Sequence, residues 1–201
     1  MNFITRNRVS VTIVSFITFA TIMGLVVVGL APDFPINSDS RIYDAIAKYL
    51  LAEGSYLYLD EIIYSPGYPV FLALVYGMFA ESFSVVYNVH FIFLGVIAAL
   101  SFLIAYRQFN LPYWFSLLVG LVNLFWPYLI LYSVLLMTEV VYTAILLASI
   151  YFFLDYVRTD KISSGAWSAF FLGIATLVRP IVLLLPFWLL FFFAILFWKR
   201  V

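Results

Sequence analysis

The sequence predicts an all-α fold, a polytopic transmembrane helix bundle of about six spans plus a short half-helix, with a first outer loop over residues 32–66 that carries an amphipathic helix. Three observations predict it. The 201 residues are 66% hydrophobic and 10% charged, with a mean hydropathy of +1.12, whereas a soluble domain is roughly 25% charged. Apolar runs long enough to cross a bilayer follow one another along the chain. Charge survives mainly at the ends of these runs and in the loop, which holds Asp33, Asp39, Asp44, Glu53, Asp60 and Glu61, six of the ten acidic residues. Residues 1–201 therefore read as a single transmembrane module.

The first run, Val9 to Ala31, follows Arg6 and Arg8 and reaches roughly 35 Å as a helix. That is too long for a signal-peptide core, and no A-x-A cleavage pattern closes it, so it reads as an uncleaved span. After the loop come apolar stretches at 67–80, 84–106, 112–131, 134–157, 164–178 and 181–198, separated by Pro, Gly, Asn or charge. They are too long and too continuously apolar for barrel strands, and backbone groups in lipid must pair within their own segment, so helices are the expected spans.

Apart from Arg179, positive charge outside the loop clusters at Arg6 and Arg8, Arg107, Arg158 and Lys161, and Lys199 and Arg200. The positive-inside rule puts these groups, and the N-terminus, in the cytoplasm. The assignment requires 67–80 to begin and end on the outer side as a half-helix, since it is short for a crossing. The polar loop, His90, Glu139 and Arg179 then share the outer face. An ionisable residue in the outer part of a span is costly and faces a cavity or a partner, so an outward-facing site is expected there.

Composition removes several function classes. Ten acidic and ten basic residues cancel, leaving no basic field to recruit nucleic acid. The absence of cysteine excludes disulfides, thiolate metal sites and a thiol nucleophile. His90 is the only histidine, which rules out a histidine-built metal site and reads as a polar residue satisfied between helices.

Within the loop, Ser38 to Gly54 places Ile42, Ile46, Tyr49 and Leu50 on one helical face and Arg41, Asp44 and Lys48 on another. This predicts a short amphipathic helix lying on the membrane, capped by Ser38, Asp39 or Ser40, ended by Gly54 and helped by an Asp44–Lys48 pair. On these residues alone Asp39 reads as an N-cap. Glu139 reads either as a residue at a helix entrance or as a second acid in a pocket. Arg179 reads either as an interfacial arginine or as a phosphate ligand, since a guanidinium meets phosphate oxygens in bidentate fashion. The Tyr64–Pro69 stretch Y-S-P-G-Y-P fixes a rigid turn into the half-helix, with Pro69 suited to a first helical turn.

These residues carry a resemblance. Asp39, Tyr43, Ala47 and Gly54, then Pro66, Gly67, Tyr68 and Pro69, then Phe71, Leu72 and Ala73, in that order and spacing, resemble the GT-C superfamily of glycosyltransferases, in the branch of dolichyl-phosphate-mannose protein mannosyltransferases and their bacterial lipid- and polysaccharide-modifying relatives. Met137-Thr138-Glu139 and the run Gly173 to Pro180 are further echoes. The resemblance implies transfer of a sugar from a polyprenyl-phosphate carrier to a lipid, glycan or protein acceptor on the extracytoplasmic face; the lack of a retention signal in the sequence points to a prokaryotic plasma membrane. It implies Asp39 as general base, with inversion at the anomeric carbon; Glu139, Arg179, Asp44 and Tyr43 are the expected substrate-binding residues. Pro66, Gly67, Tyr68 and Pro69 are its structural motif.

No cofactor is firmly implied. A loop-bound divalent metal has weak support, because Ser40 stands where many relatives have a second acid and Asp44 sits a turn away. Ser65 likewise replaces a common proline. Relatives are generally much longer, so the 201 residues correspond to the N-terminal portion of such an enzyme, with room for a second chain to supply the rest. A truncated, non-catalytic membrane subunit shares every motif. A small transporter would carry midplane polar helices and repeat symmetry, and the sequence has neither.

Overall fold

The computed structural model describes residues 3–30, 38–56, 64–184 and 187. The expected span at 181–198 and the two ends of the 32–66 loop fall largely outside them. The described residues are helical and contain no strand. The helices are α1 (Phe3–Leu30), α2 (Ser38–Glu53), α3 (Gly67–Met78), α4 (Phe83–Leu103, extended by a π turn, Ile104–Gln108), α5 (Tyr113–Leu124), α6 (Pro127–Ser133), α7 (Glu139–Thr159) and α8 (Ile162–Val178), followed by a 3₁₀ turn at Pro180–Leu184.

Three helices, Asn7–Leu30, Phe83–Gln108 and Glu139–Thr159, are long and apolar enough to cross a membrane, and α5 with α6 makes a fourth candidate bent by 48°. The chain thus has membrane-protein character. The expected single run at 112–131 is broken at Phe125 and Trp126, because Pro127 at the first position of α6 has no N–H to continue the ladder and holds Trp126 extended. The run expected from 134 becomes helical only at Glu139.

Helix α4 is the central post. Buried Phe16 and Ala20 of α1 press on Gly95 and Phe102 of α4, the small residues letting the backbones approach closely. The opposite side of α1 shows Val11, Val14, Phe19, Ile22, Leu25 and Val26 outward. An apolar helix with an unburied apolar face matches a lipid-facing surface.

The contacts define two ends of the bundle. At one end Arg158 of α7 donates to the Arg107 carbonyl after α4, and Thr12 of α1 meets Tyr113 of α5 at 2.7 Å. Glu139, 19 residues before Arg158 on the same helix, lies about 28 Å away at the other end. Both ends of α3 stay beside the first turns of α4 at this second end. Tyr68 meets His90, and Tyr76 bonds Asp44 of α2, whose Lys48 lies over Phe83.

Helix α2 buries Ile46 and Ala47 against this end rather than resting as an isolated surface helix. Asp44 fastens it, since Oδ1 accepts from Tyr76 at 2.7 Å and Oδ2 from Lys48 at 2.9 Å. Gly54, at φ +65°, closes α2 with its N–H on the Leu50 carbonyl, a conformation that suits glycine.

Candidate functional site

The P-G-Y-P turn sets the position of everything around it. Pro66 precedes the first turn of α3, and Gly67 lies so close to α8 that a Cβ there would stand 2.6 Å from the backbone of Leu177 and Val178. Only glycine permits that approach. Tyr68 and Pro69 are then buried, and the end of α8, where Arg179 follows, is held against the start of α3.

Asp39 lies in the first turn of α2, where unpaired N–H groups and the helix dipole favour a carboxylate. Tyr64, just before the turn, donates to Asp39 Oδ1 at 3.2 Å. The neighbouring Ser40 is buried and donates to the Leu136 carbonyl at 3.1 Å, tying α2 to the approach to α7. A carboxylate could not donate this bond, which accounts locally for a serine at that position.

One turn on, the Tyr43 ring sits edge-on at 5.0 Å to both Tyr64 and Tyr68. Burial, then the charge of Asp39, pushes its phenol up to about 12, with Glu139 adding to the rise and Arg179 opposing it. Tyr43 thus stands within electrostatic reach of all three candidate charges. Burial and Asp39 raise the Tyr64 phenol as well.

Arg179 leaves α8 extended, at φ −142° and ψ 110°, as a residue before proline should. Its Nε donates to Thr138 Oγ1 at 2.6 Å and its Nη2 to Glu139 Oε1 at 2.5 Å, and the guanidinium lies 5.7 Å from the Tyr142 ring centre. Glu139, the first residue of α7, is 18% exposed and Arg179 37%. Among the described residues Nη1 makes no hydrogen bond.

Behind the charges, Tyr68 and His90 are fully buried and meet at 3.2 Å through Nε2, with Phe71 stacked on the imidazole. His90 is a packed polar residue here. Beside the cluster a cleft of about 430 Å³, almost wholly apolar, is lined by Gly67, Phe71, Phe93, Val141 and Val178 among others.

Asp39, Tyr43, Glu139 and Arg179, expected as site residues, are therefore brought together. Asp44 has both oxygens engaged, one in holding α2 to α3 and the other within α2 itself. Thr138 was missed as an orienting residue for Arg179, although it stands inside the M-T-E echo. No group of three metal-ligating side chains occurs among the described residues. Comparison with protein-family models, curated proteins and solved structures returns no match to this chain.

Proposed function

We propose that the chain is a membrane glycosyltransferase moving a sugar from a polyprenyl-phosphate carrier to an acceptor hydroxyl at the extracytoplasmic face. The observation that carries this reading is that a carboxylate with a phenol partner and a guanidinium held by an acid and a hydroxyl, from segments about 140 residues apart in sequence, share one aromatic-walled end of the bundle. In the reaction Asp39 takes the proton as the acceptor oxygen attacks the anomeric carbon. The bond from that carbon to the phosphate oxygen breaks with inversion, and the electron pair leaves on the lipid phosphate. The guanidinium of Arg179 meets that developing charge, and Glu139 and Thr138 hold it in place. Tyr43, half-buried, supplies a flat aromatic wall suited to a sugar ring, and the apolar cleft beside Arg179 suits an isoprenoid tail.

The accompanying topology has six spans: α1, α4, the bent pair α5 and α6, α7, α8 and the segment 181–198, with α3 returning to its own side. The basic end faces the cytoplasm of a prokaryotic cell, and a second chain completes the enzyme if this one is its N-terminal portion. The test is to supply membranes, with and without the protein, with radiolabelled polyprenyl-phosphate sugars one at a time. Protein-dependent transfer from one of them supports the reading, and none from any contradicts it.

A further inference from the structure

The opposite end of the bundle holds a second polar feature that sugar transfer does not use. The π turn at Ile104–Gln108 widens the end of α4: Phe109 N–H bonds Ile104 O, five residues back, and Leu111 N–H bonds Ala105 O. Such turns occur disproportionately at functional sites. The Arg107 carbonyl accepts from Nη1 of Arg158, while Arg107 Nη1 donates to the Tyr151 hydroxyl at 3.1 Å. Each guanidinium is thus anchored by one bond, and both line a cleft of about 500 Å³ with Gln108, Asn110, Tyr151 and Asp155.

The charge here is unbalanced. Among the described residues Asp155 is the one acid lining the cleft, and it accepts from Ser164 of α8 at 2.5 Å. Among the described residues neither arginine forms an ion pair. Two cations held together at the edge of an apolar bundle are stabilised by a counter-anion, and guanidinium forks match phosphate oxygens. Large apolar side chains at the same end, Phe109, Trp114, Val157 and Ile162, are exposed, as expected of a surface that meets the membrane interface.

We propose that the Arg107–Arg158 cleft binds a phosphate group, that of an anionic phospholipid headgroup whose acyl chains lie over these exposed apolar residues. This site is independent of the sugar-transfer reading and lies at the other end of the bundle.

The test uses the full chain in nanodiscs of phosphatidylcholine to which phosphatidylglycerol is added, with co-purified lipid counted by native mass spectrometry. Wild type retains phosphatidylglycerol about tenfold over phosphatidylcholine, and the preference falls to near unity in Arg107→Gln/Arg158→Gln. Arg107→Lys/Arg158→Lys, which keeps the charge, retains part of it and checks that the cleft is intact. Glycerol 3-phosphate is then titrated against protein in phosphatidylcholine alone. Saturable binding lost in the Gln variant, with no preference for phosphatidylglycerol, keeps the phosphate site and assigns it to a soluble phosphate. Absence of both responses in the wild type overturns the proposal, whatever the variants do.

Discussion

Arg179, the residue after α8, places its Nη2 2.5 Å from Oε1 of Glu139, the first residue of α7, closing a contact across 40 residues of sequence. The pair fixes a cation within electrostatic reach of Tyr43. At 37% and 18% exposure it is screened only in part. Glu139→Gln is expected to cost about 1 kcal/mol, discounted for that exposure, measured as a lower Tm in detergent. Arg179→Ala is expected to lower sugar transfer by about 10²-fold or more through lost stabilisation of the leaving phosphate. An Arg179→Ala protein with wild-type turnover removes Arg179 from the chemistry.

Gly67 carries a separate expectation. A methyl group there meets the Leu177–Val178 backbone at 2.6 Å, and backbone cannot swing aside as a side chain can. Gly67→Ala should destabilise by about 1–3 kcal/mol and separate the start of α3 from the end of α8. Thermal unfolding in nanodiscs checks this, and an unchanged Tm contradicts the close approach.

Asp44 should behave as a fastening residue. A double-mutant cycle with Asp44→Asn and Tyr76→Phe is expected to show coupling of about 0.5–1.5 kcal/mol, since the two share a 2.7 Å bond. Sugar transfer by Asp44→Asn, assayed at a temperature where the variant stays folded, should remain within a few-fold of wild type. A loss matching that of Asp39→Asn would place Asp44 in the site instead.

The Tyr43 phenol is raised from the ordinary 10 to about 12. With a folded value above the unfolded one, its contribution to stability is full below pH 10 and is lost as pH rises from 10 through 12. Ultraviolet titration of phenolate should therefore show a late step that Tyr43→Phe lacks, and the pH profile of activity below 10 should not contain it. A step near 10 lost in Tyr43→Phe would contradict the half-buried, anion-facing position.

Much of this was legible in sequence because the signals were local. The end of α2 follows from Gly54, and the start of α3 from the prolines and glycine around it. The break at Phe125–Trp126 was not read, although Pro127 announces it, because apolar residues on both sides make hydropathy continuous there. In the candidate site the charged residues stood out against an apolar chain. Their partners did not: the Thr138 bond to Arg179 and the Ser40 bond to the Leu136 carbonyl depend on how α2, α7 and α8 meet. No periodicity encodes such long-range contacts. The same limit hid the bond of Asp44 to Tyr76, 32 residues away.

The most direct measurement is sugar transfer from a polyprenyl-phosphate donor by Asp39→Asn in membranes, with protein abundance matched to wild type. Asparagine keeps the size and can still accept from Tyr64, but it cannot take a proton from the acceptor. The account predicts transfer lowered by about 10²–10⁴-fold at unchanged abundance. Transfer at the wild-type rate would contradict it.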